Sequence, residues 1–230
     1  MSLVLEVEDL AFGFTGQGEV LHGISFRLGE GESLGVLGAN GSGKSTLLWC
    51  ILGLLKSRGR VRMFGEPRRR RSLARVGVVF QNPEDQLFMP RLVEDVALPL
   101  VNRGVSRNEA SARAMRALEE AGLAHAAQRP ASQLSLGERK RAAIAAALAT
   151  SPELLILDEP TAELDGRSSR RLREELTRLR VARLIATHDL SLVRAVCGRV
   201  LILNNGRILA QGPAEEILGD SALLEGAGLT

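Results

Sequence analysis

The pattern of apolar and polar positions divides the chain into strand-like and helix-like stretches. Residues 3–7 alternate apolar with acidic side chains, which predicts an edge strand of an antiparallel sheet that residues 11–14 continue. Turn residues 15–18 separate it from a second predicted strand, residues 20–28. The first part of the chain is therefore expected to form an antiparallel β subdomain.

Further along, short apolar runs alternate with helical patterns. Strands are predicted at 33–37, 59–64, 74–80, 154–157 and 184–187, and helices at 46–52, 167–180 and 191–196. The run at 154–157 is apolar throughout, as in a strand buried on both faces, and the alternation of helices and strands that follows it, over residues 167–196, indicates a parallel sheet. Residues 200–203 and 207–210 flank the turn Asn204-Asn205-Gly206 and predict a hairpin, and a short helix follows Pro213. We expect an α/β fold with a mixed central sheet.

A helical region interrupts this alternation. Residues 82–122 lack glycine-rich loops, with Ser106 and Glu109 spaced as a capping box and Gly122 as a helix stop. Residues 132–149 predict a long alanine-rich helix. We expect a single domain over residues 1–230. Its nucleotide-binding core would be formed by 1–81 and 150–230, and its inserted helical subdomain by 82–149.

Composition narrows the class of protein. The chain has 230 residues, 45% hydrophobic and 25% charged, as in ordinary globular proteins. Its longest apolar run, 142–149, is too short to span a membrane. The first ten residues are acidic rather than basic, which argues against a secretory signal and favours the cytosol. Cys50 and Cys197 lie in apolar stretches and are expected to be core residues.

The positive charge does not by itself indicate a nucleic-acid partner. Net charge is +3, but of 30 basic residues only Lys44, Lys56 and Lys140 are lysines, a bias typical of GC-rich genomes. The four arginines 68–71 have no interleaved aromatic residues, so we expect a solvated surface loop rather than a phosphate-binding patch. No nucleic acid is expected among the partners.

A phosphate-binding loop is the most specific motif in the chain. It has the pattern G-x-x-x-x-G-K-S between a predicted strand and a predicted helix, and comprises Gly38, Ala39, Asn40, Gly41, Ser42, Gly43, Lys44, Ser45 and Thr46. The glycines and the helix N-terminus turn backbone N–H groups toward phosphates. Lys44 would reach the β- and γ-phosphates, and Ser45 would ligate Mg²⁺. In this context we favour nucleoside triphosphate binding over a plain glycine turn.

Two further features suggest how the nucleotide is used. Asp158 and Glu159 end the buried strand 154–157, where two carboxylates cost too much desolvation to lack a role. Asp158 would hold Mg²⁺ and Glu159 would accept a proton from the attacking water, although a helix-capping pair is the alternative. Phe14 is a candidate platform on which adenine could stack. The alternatives are that Phe14 packs inward against the sheet, or that Phe12 is the platform instead.

Together these motifs resemble those of the ATP-binding cassette (ABC) ATPases, a P-loop NTPase family. The resemblance implies that Gln81 senses Mg²⁺ and the γ-phosphate, and that His188 is the switch histidine. It assigns Asp165 to the D-loop, and identifies residues 134–138 as the signature motif. In that family the signature of one cassette completes the ATP site of another. Here Ser135, Leu136, Gly137 and Glu138 would act in trans on ATP bound by an identical or paralogous cassette.

The sequence departs from the family pattern at three positions. Leu136 and Glu138 replace the first glycine and the glutamine of Leu-Ser-Gly-Gly-Gln, and Glu163 stands where the D-loop commonly has a small residue. Ser135 and Gly137, the residues that resemble the phosphate contacts, are retained. The strength of the composite site is thus the open question.

A narrower resemblance lies in residues 80–88 and 93–97, which are similar to the cassettes of energy-coupling factor importers of vitamins and cobalt or nickel ions. It implies a peripheral ATPase at the cytoplasmic face of the membrane with a transmembrane partner. The partner would enter a groove at 82–90, where Gln86, Leu87, Phe88 and Met89 are expected to be presented. The alternative is that Phe88 and Met89 pack inside the insert.

Three alternative functions remain. The ATPase of another ABC importer class has the same motifs. A soluble mechanical ABC ATPase of DNA repair or translation usually carries a coiled-coil insertion, zinc modules or two cassettes, which the sequence lacks. A metabolite kinase or small GTPase would share the phosphate loop but not residues 134–138 or His188.

Overall fold

A computed structural model describes residues 2–16 and 18–229. The strands are β1 Leu3–Gly13, β2 Glu19–Gly29, β3 Ser33–Leu37, β4 Arg58–Met63, β5 Glu66–Pro67, β6 Val76–Val79, β7 Leu154–Asp158, β8 Ala182–Thr187, β9 Arg199–Asn204 and β10 Arg207–Pro213. The α-helices are α1 Lys44–Leu52, α2 Arg70–Leu73, α3 Leu92–Asn102, α4 Arg107–Glu120, α5 Leu136–Ala149, α6 Gly166–Arg178, α7 Leu190–Val196, α8 Ala214–Gly219 and α9 Ser221–Gly226. No helix in these ranges is long and apolar enough to cross a membrane.

The first sheet is antiparallel and has the order β2-β1-β4-β5. Strand β1 pairs with both β2 and β4, so the prediction that it is an edge strand was wrong. Alternation of apolar and polar residues reports one buried face, and a central strand with one solvated face has the same pattern as an edge strand. The prediction of an antiparallel N-terminal sheet is confirmed.

The second sheet is mixed, with the order β10-β9-β3-β8-β7-β6. Strands β9, β3, β8, β7 and β6 are parallel, and β10 pairs antiparallel with β9 as the predicted hairpin. In β7, Leu154 and Ile156 pack in one core while Leu155 and Leu157 pack in the other. Both faces are thus covered, which explains the continuous apolar run and brings the carboxyl ends of β3, β7 and β8 to one edge.

The helical insert packs over this sheet through α3, α4 and α5. Ser106 caps α4 by accepting from the Glu109 amide, and Gly122 follows its end with a φ of 68°. The predicted capping box is only half formed, because the Glu109 carboxylate pairs with Arg113 instead. An exposed i,i+4 ion pair on the helix replaces the return hydrogen bond.

The four-arginine run departs from the predicted surface loop. Arg68 is half-buried and its guanidinium donates to the carbonyls of Cys50 and Ile51 at the end of α1, while Arg70 and Arg71 lie in α2. A helix C-terminus presents unpaired carbonyls, so a guanidinium there is a capping group. Both cysteines are buried and free, as expected, and burial raises the pKa of the Cys197 thiol to about 12.

Candidate functional site

The phosphate-binding loop connects β3 to α1 in a conformation that needs its glycines. A Cβ on Gly38 would lie 2.3 Å from the Ser42 hydroxyl and 2.5 Å from the Leu203 carbonyl oxygen. Gly43 precedes α1 with a φ of 104°, a conformation that L side chains rarely adopt. The loop therefore curls against β9 and leaves the N-terminus of α1 open to a ligand.

This loop forms one wall of a cavity of about 520 Å³ at the carboxyl edge of the parallel strands. The cavity is lined by Val20, Asn40, Gly41, Gly43, Lys44, Ser45, Thr46, Gln81, Glu159, Ala162, Glu163 and His188. A larger cavity of about 590 Å³ lies between α4, α5 and α6, but no residue of the phosphate loop lines it. The chemistry therefore concentrates in the smaller cavity.

Lys44 and Glu159 are buried and form an ion pair in the wall of this cavity. The Lys44 Nζ donates to the carbonyls of Gly38 and Ala39 at 2.8 and 3.1 Å, and lies 3.3 Å from Glu159 Oε1. Each side chain is 6% exposed. Because an unpaired buried charge is costly, the phosphates of a nucleotide would compete with these acceptors for the ammonium.

The last residue of β8 and the residue after it fix the Glu159 carboxylate. The Thr187 hydroxyl donates to Glu159 Oε2 at 3.0 Å, and His188 Nδ1 lies 3.0 Å from Oε1. A carboxylate only accepts, so Nδ1 carries the proton and Nε2 is left for a ligand. The sequence identified His188, but Thr187 was missed, since a threonine at a strand end has no distinguishing signal.

Asp158, next to Glu159, has the features of a ligand for a divalent cation. It is 4% exposed, and its Oδ1 has no hydrogen-bond partner among the described residues. Burial raises the pKa of this carboxyl, and a hydrogen bond with the Ser45 hydroxyl opposes the shift. A hard cation between Asp158 and Ser45 would satisfy the orphaned oxygen, so the residues present fit Mg²⁺.

The signature residues lie outside this cavity at the N-terminus of α5. Ser135 caps the helix, and Glu138 completes a capping box by accepting from the Ser135 amide and hydroxyl at 2.9 and 2.8 Å. These hydrogen bonds lower the pKa of Glu138. The departure from glutamine thus has a local consequence: the carboxylate engages the hydroxyl that would contact phosphate.

The D-loop lies beside this helix end. A Cβ on Gly137 would lie 3.0 Å from the Ser168 hydroxyl oxygen, so α5 is packed against the start of α6. Asp165 caps α6 by accepting from the Arg167 and Ser168 amides, which lower its pKa. Leu136 is partly buried in the first turn of α5.

The candidate adenine platform stands apart from the other predicted residues. Phe14 is 41% exposed and stacks edge-on against Phe12, with ring centroids 4.9 Å apart. It does not line the cavity, whereas Val20, from the same hairpin, does. Gln81 lies two residues after the end of β6 and lines the cavity. Nothing in the sequence distinguished Val20, Ala162 or Glu163 as lining residues.

Comparison with known proteins gives a consistent picture. The ABC transporter family model matches residues 21–162. A Gloeobacter violaceus protein, provisionally named an ABC transporter ATP-binding protein, is 46% identical over 98% of this chain and 95% of its own length. The energy-coupling factor transporter ATP-binding protein EcfA of Methanosphaera stadtmanae is 39% identical over 100% of this chain and 86% of its own.

A solved structure shares the fold. It is cbiO1 from Clostridium perfringens, described as part of the ABC transporter complex cbiONQ. Its TM-score is 0.84 and its sequence identity is 33%, with 100% of this chain and 96% of that chain covered. The family match covers more than half of the chain, and the relatives span nearly all of it. The chain belongs to the ABC transporter family and is a nucleotide-binding ATPase of that family.

Proposed function

We propose that this chain is the ATP-hydrolysing subunit of an importer of the energy-coupling factor type. Residues 1–81 and 150–230 would form its nucleotide-binding core, and 82–149 its helical subdomain. The single observation that carries the proposal is the buried Glu159 carboxylate, held between Lys44, Thr187 and His188 in the phosphate-loop cavity. The similarity to EcfA over the whole chain and to cbiO1 supports the importer type.

In the proposed reaction, water attacks the γ-phosphorus of ATP and the bond to the bridging oxygen breaks, releasing ADP. Glu159 accepts a proton from that water, and His188 orients the carboxylate through Nδ1. Residues 38–46 bind the phosphates through backbone N–H groups and the Lys44 ammonium. Phe14 would stack on the adenine.

Ser45, Asp158 and Gln81 would hold Mg²⁺. When bound, this ion would neutralise part of the phosphate charge. The orphaned Asp158 Oδ1 supports that assignment. The protein's own contribution is a buried carboxylate and a hydroxyl in place before the nucleotide arrives.

A second cassette, identical or paralogous, would complete the site. Ser135 and Gly137 lie at the N-terminus of a 14-residue helix, away from their own chain's cavity. That placement fits action on ATP held by the opposite chain, with Asp165 at the same interface. Glu138 places a carboxylate beside the Ser135 hydroxyl, which would weaken a self-paired site.

The surface for a transmembrane partner is narrower than the sequence suggested. Phe88 is 64% exposed, but Leu87 is buried. The Gln86 side chain folds back onto the backbone, where its Oε1 accepts from the Phe80 N–H and its Nε2 donates to the Val78 carbonyl. The prediction that Gln86 and Leu87 are presented in the groove was therefore wrong. The buried Asp95 accepts from the amides of Phe88 and Met89 and so fixes the loop that carries Phe88.

A fixed, exposed phenylalanine suits the anchoring of an apolar helix face from a membrane subunit at the cytoplasmic side. Phe88→Ser tests this, with Leu209→Ser as a matched control, because Leu209 is also an exposed large apolar residue, in β10. Tagged chains are purified from the native host, and the membrane proteins that accompany them are quantified. Phe88→Ser should lose the membrane partner, whereas Leu209→Ser should retain it.

The isolated chain's hydrolysis rate and Tm separate the possible outcomes. If Phe88→Ser retains the partner, the docking surface lies elsewhere. If hydrolysis and Tm fall along with partner binding, Phe88 is a packing residue of the insert. Absence of any membrane protein from the wild-type preparation would contradict the importer assignment.

A further inference from the structure

A buried lysine joins the signature helix to the proposed general base. Lys140 lies in α5, is 4% exposed, and its Nζ donates to the Glu159 carbonyl at 2.9 Å. Burying an ammonium is costly unless it is hydrogen-bonded and paired. Burial lowers the pKa of the Lys140 ammonium, and the negative charges of Glu163, Glu159 and Asp158 oppose that shift. These contacts make the lysine part of the site, although it does not line the cavity.

The residue that Lys140 contacts has an unusual backbone. Glu159 has a φ of 44°, in the left-handed region that residues other than glycine rarely adopt. Such a conformation persists only where the surroundings hold it. The Glu159 N–H donates to the Ala186 carbonyl in β8 at 2.8 Å, and its own carbonyl accepts from the Lys140 Nζ at 2.9 Å and from the Ala162 N–H of the following turn at 3.2 Å. The two sides of the residue are thus held by two different elements.

The same helix carries the signature at its start. Lys140 is five residues after Ser135, about 7.5 Å along the helix axis at 1.5 Å per residue. The helix is continuous between them, and Gly137 packs on the start of α6. A shift of the Ser135 end would therefore be carried to the Lys140 ammonium and to the Glu159 carbonyl.

We propose that Lys140 is a positioning residue, which holds Glu159 in its left-handed conformation and couples the orientation of the base to the signature helix. The proposal rests on the proposed role of Glu159. In an ATP sandwich, engagement of Ser135 at the opposite site would thereby adjust the base at the chain's own site. Lys140 itself touches no nucleotide.

Lys140→Met and Lys140→Arg test the proposal in the full-length chain. Methionine is an unbranched side chain one atom shorter than lysine and removes the charge and the donor, whereas arginine keeps both. Lys56→Met is the matched control, since Lys56 is exposed. Lys140→Met should lower kcat about 10- to 100-fold, the cost of misplacing a catalytic group by about 1 Å, with KM for ATP changed less than threefold. Lys140→Arg should recover most of the rate, and Lys56→Met should match wild type.

The Glu159→Gln background separates positioning from general damage. If Lys140 acts through the base, Lys140→Met should lower the residual rate of Glu159→Gln by less than about twofold, because the two effects are not additive. An equal fold-loss in both backgrounds would overturn the proposal. An unchanged kcat of Lys140→Met would also overturn the proposal. A simultaneous loss of ATP affinity, Tm and kcat in that variant would do the same.

A second variant covers the case in which Lys140→Met does not fold. Lys140→Gln keeps an N–H donor on a shorter, neutral side chain, and it should show a lowered kcat with unchanged ATP binding. A wild-type kcat for Lys140→Gln would overturn the proposal. Failure of the base assignment is recognised separately, because Glu159→Gln alone would then turn over near the wild-type rate.

Discussion

Replacing Glu159 by glutamine should separate ATP binding from hydrolysis. The side chain is buried, and its amide oxygen could still accept from the Thr187 hydroxyl at the position of Oε2. The variant therefore keeps its packing and one of its hydrogen bonds. What it loses is the ability to take a proton from water.

The structure sets the direction of each effect. Loss of a positioned general base costs about 10²- to 10⁴-fold in rate, equivalent to about 3 to 5 kcal/mol of barrier. ATP affinity should stay equal or rise, because the carboxylate that pairs with the Lys44 ammonium at 3.3 Å is replaced by a neutral amide. The variant should consequently accumulate with ATP bound.

Steady-state phosphate release and calorimetric titration with ATP measure the two quantities. Glu163→Gln is the control, since Glu163 also lines the cavity. The carboxylate that pairs with Lys44 and His188 is that of Glu159. It should retain far more activity than Glu159→Gln. Turnover of Glu159→Gln within twofold of wild type would refute the role of the base.

Three other changes should have distinct effects. Lys44→Ala should lose ATP binding in calorimetry, because Lys140, the other lysine close to the site, is held by the Glu159 carbonyl and does not line the cavity; unchanged affinity would contradict the phosphate-loop assignment. Asp158→Asn should raise the free energy of unfolding without Mg²⁺ by about 1–3 kcal/mol at pH 7–8. The gain should shrink as pH falls through the raised folded-state pKa of Asp158, where the wild-type carboxyl becomes protonated. If Asp158→Asn leaves the free energy of unfolding unchanged or lowers it, the buried Asp158 carboxylate does not destabilise the fold. Glu138→Gln keeps the capping box and removes a charge beside Ser135, so ATP-driven dimerisation in ultracentrifugation should tighten; no change would exclude competition by Glu138.

The features that the sequence predicted are those set by local spacing. Gly38 to Thr46 adopt the loop and helix start that their spacing implies, because a Cβ on Gly38 would clash and Gly41 and Gly43 have positive φ angles that L side chains rarely adopt. The apolar run 154–157 was assigned correctly as a strand with two buried faces, since that burial leaves no polar position.

The features that the sequence did not predict depend on contacts between distant segments. The interior position of β1 is decided by pairing with β4, about 50 residues away, which alternation does not encode. Lys140 meets Glu159 across 19 residues, and nothing in an alanine-rich helix marks one of its charged residues as buried. The left-handed φ of Glu159 likewise follows from tertiary hydrogen bonds rather than residue type.

The account depends most on a site shared between two cassettes, and complementation between two inactive variants tests it directly. One chain carries Glu159→Gln and the other Ser135→Ala, which removes the hydroxyl proposed to contact the phosphate of the opposite site; loss of such a donor costs about 10²–10³ in rate. Each variant alone should be nearly inactive at concentrations where wild type hydrolyses ATP. Mixing them should restore up to about one quarter of the wild-type rate, because half of randomly paired dimers are mixed and each has one intact site of two. If the mixture stays as inactive as its components while both chains bind ATP, Ser135 does not act in trans.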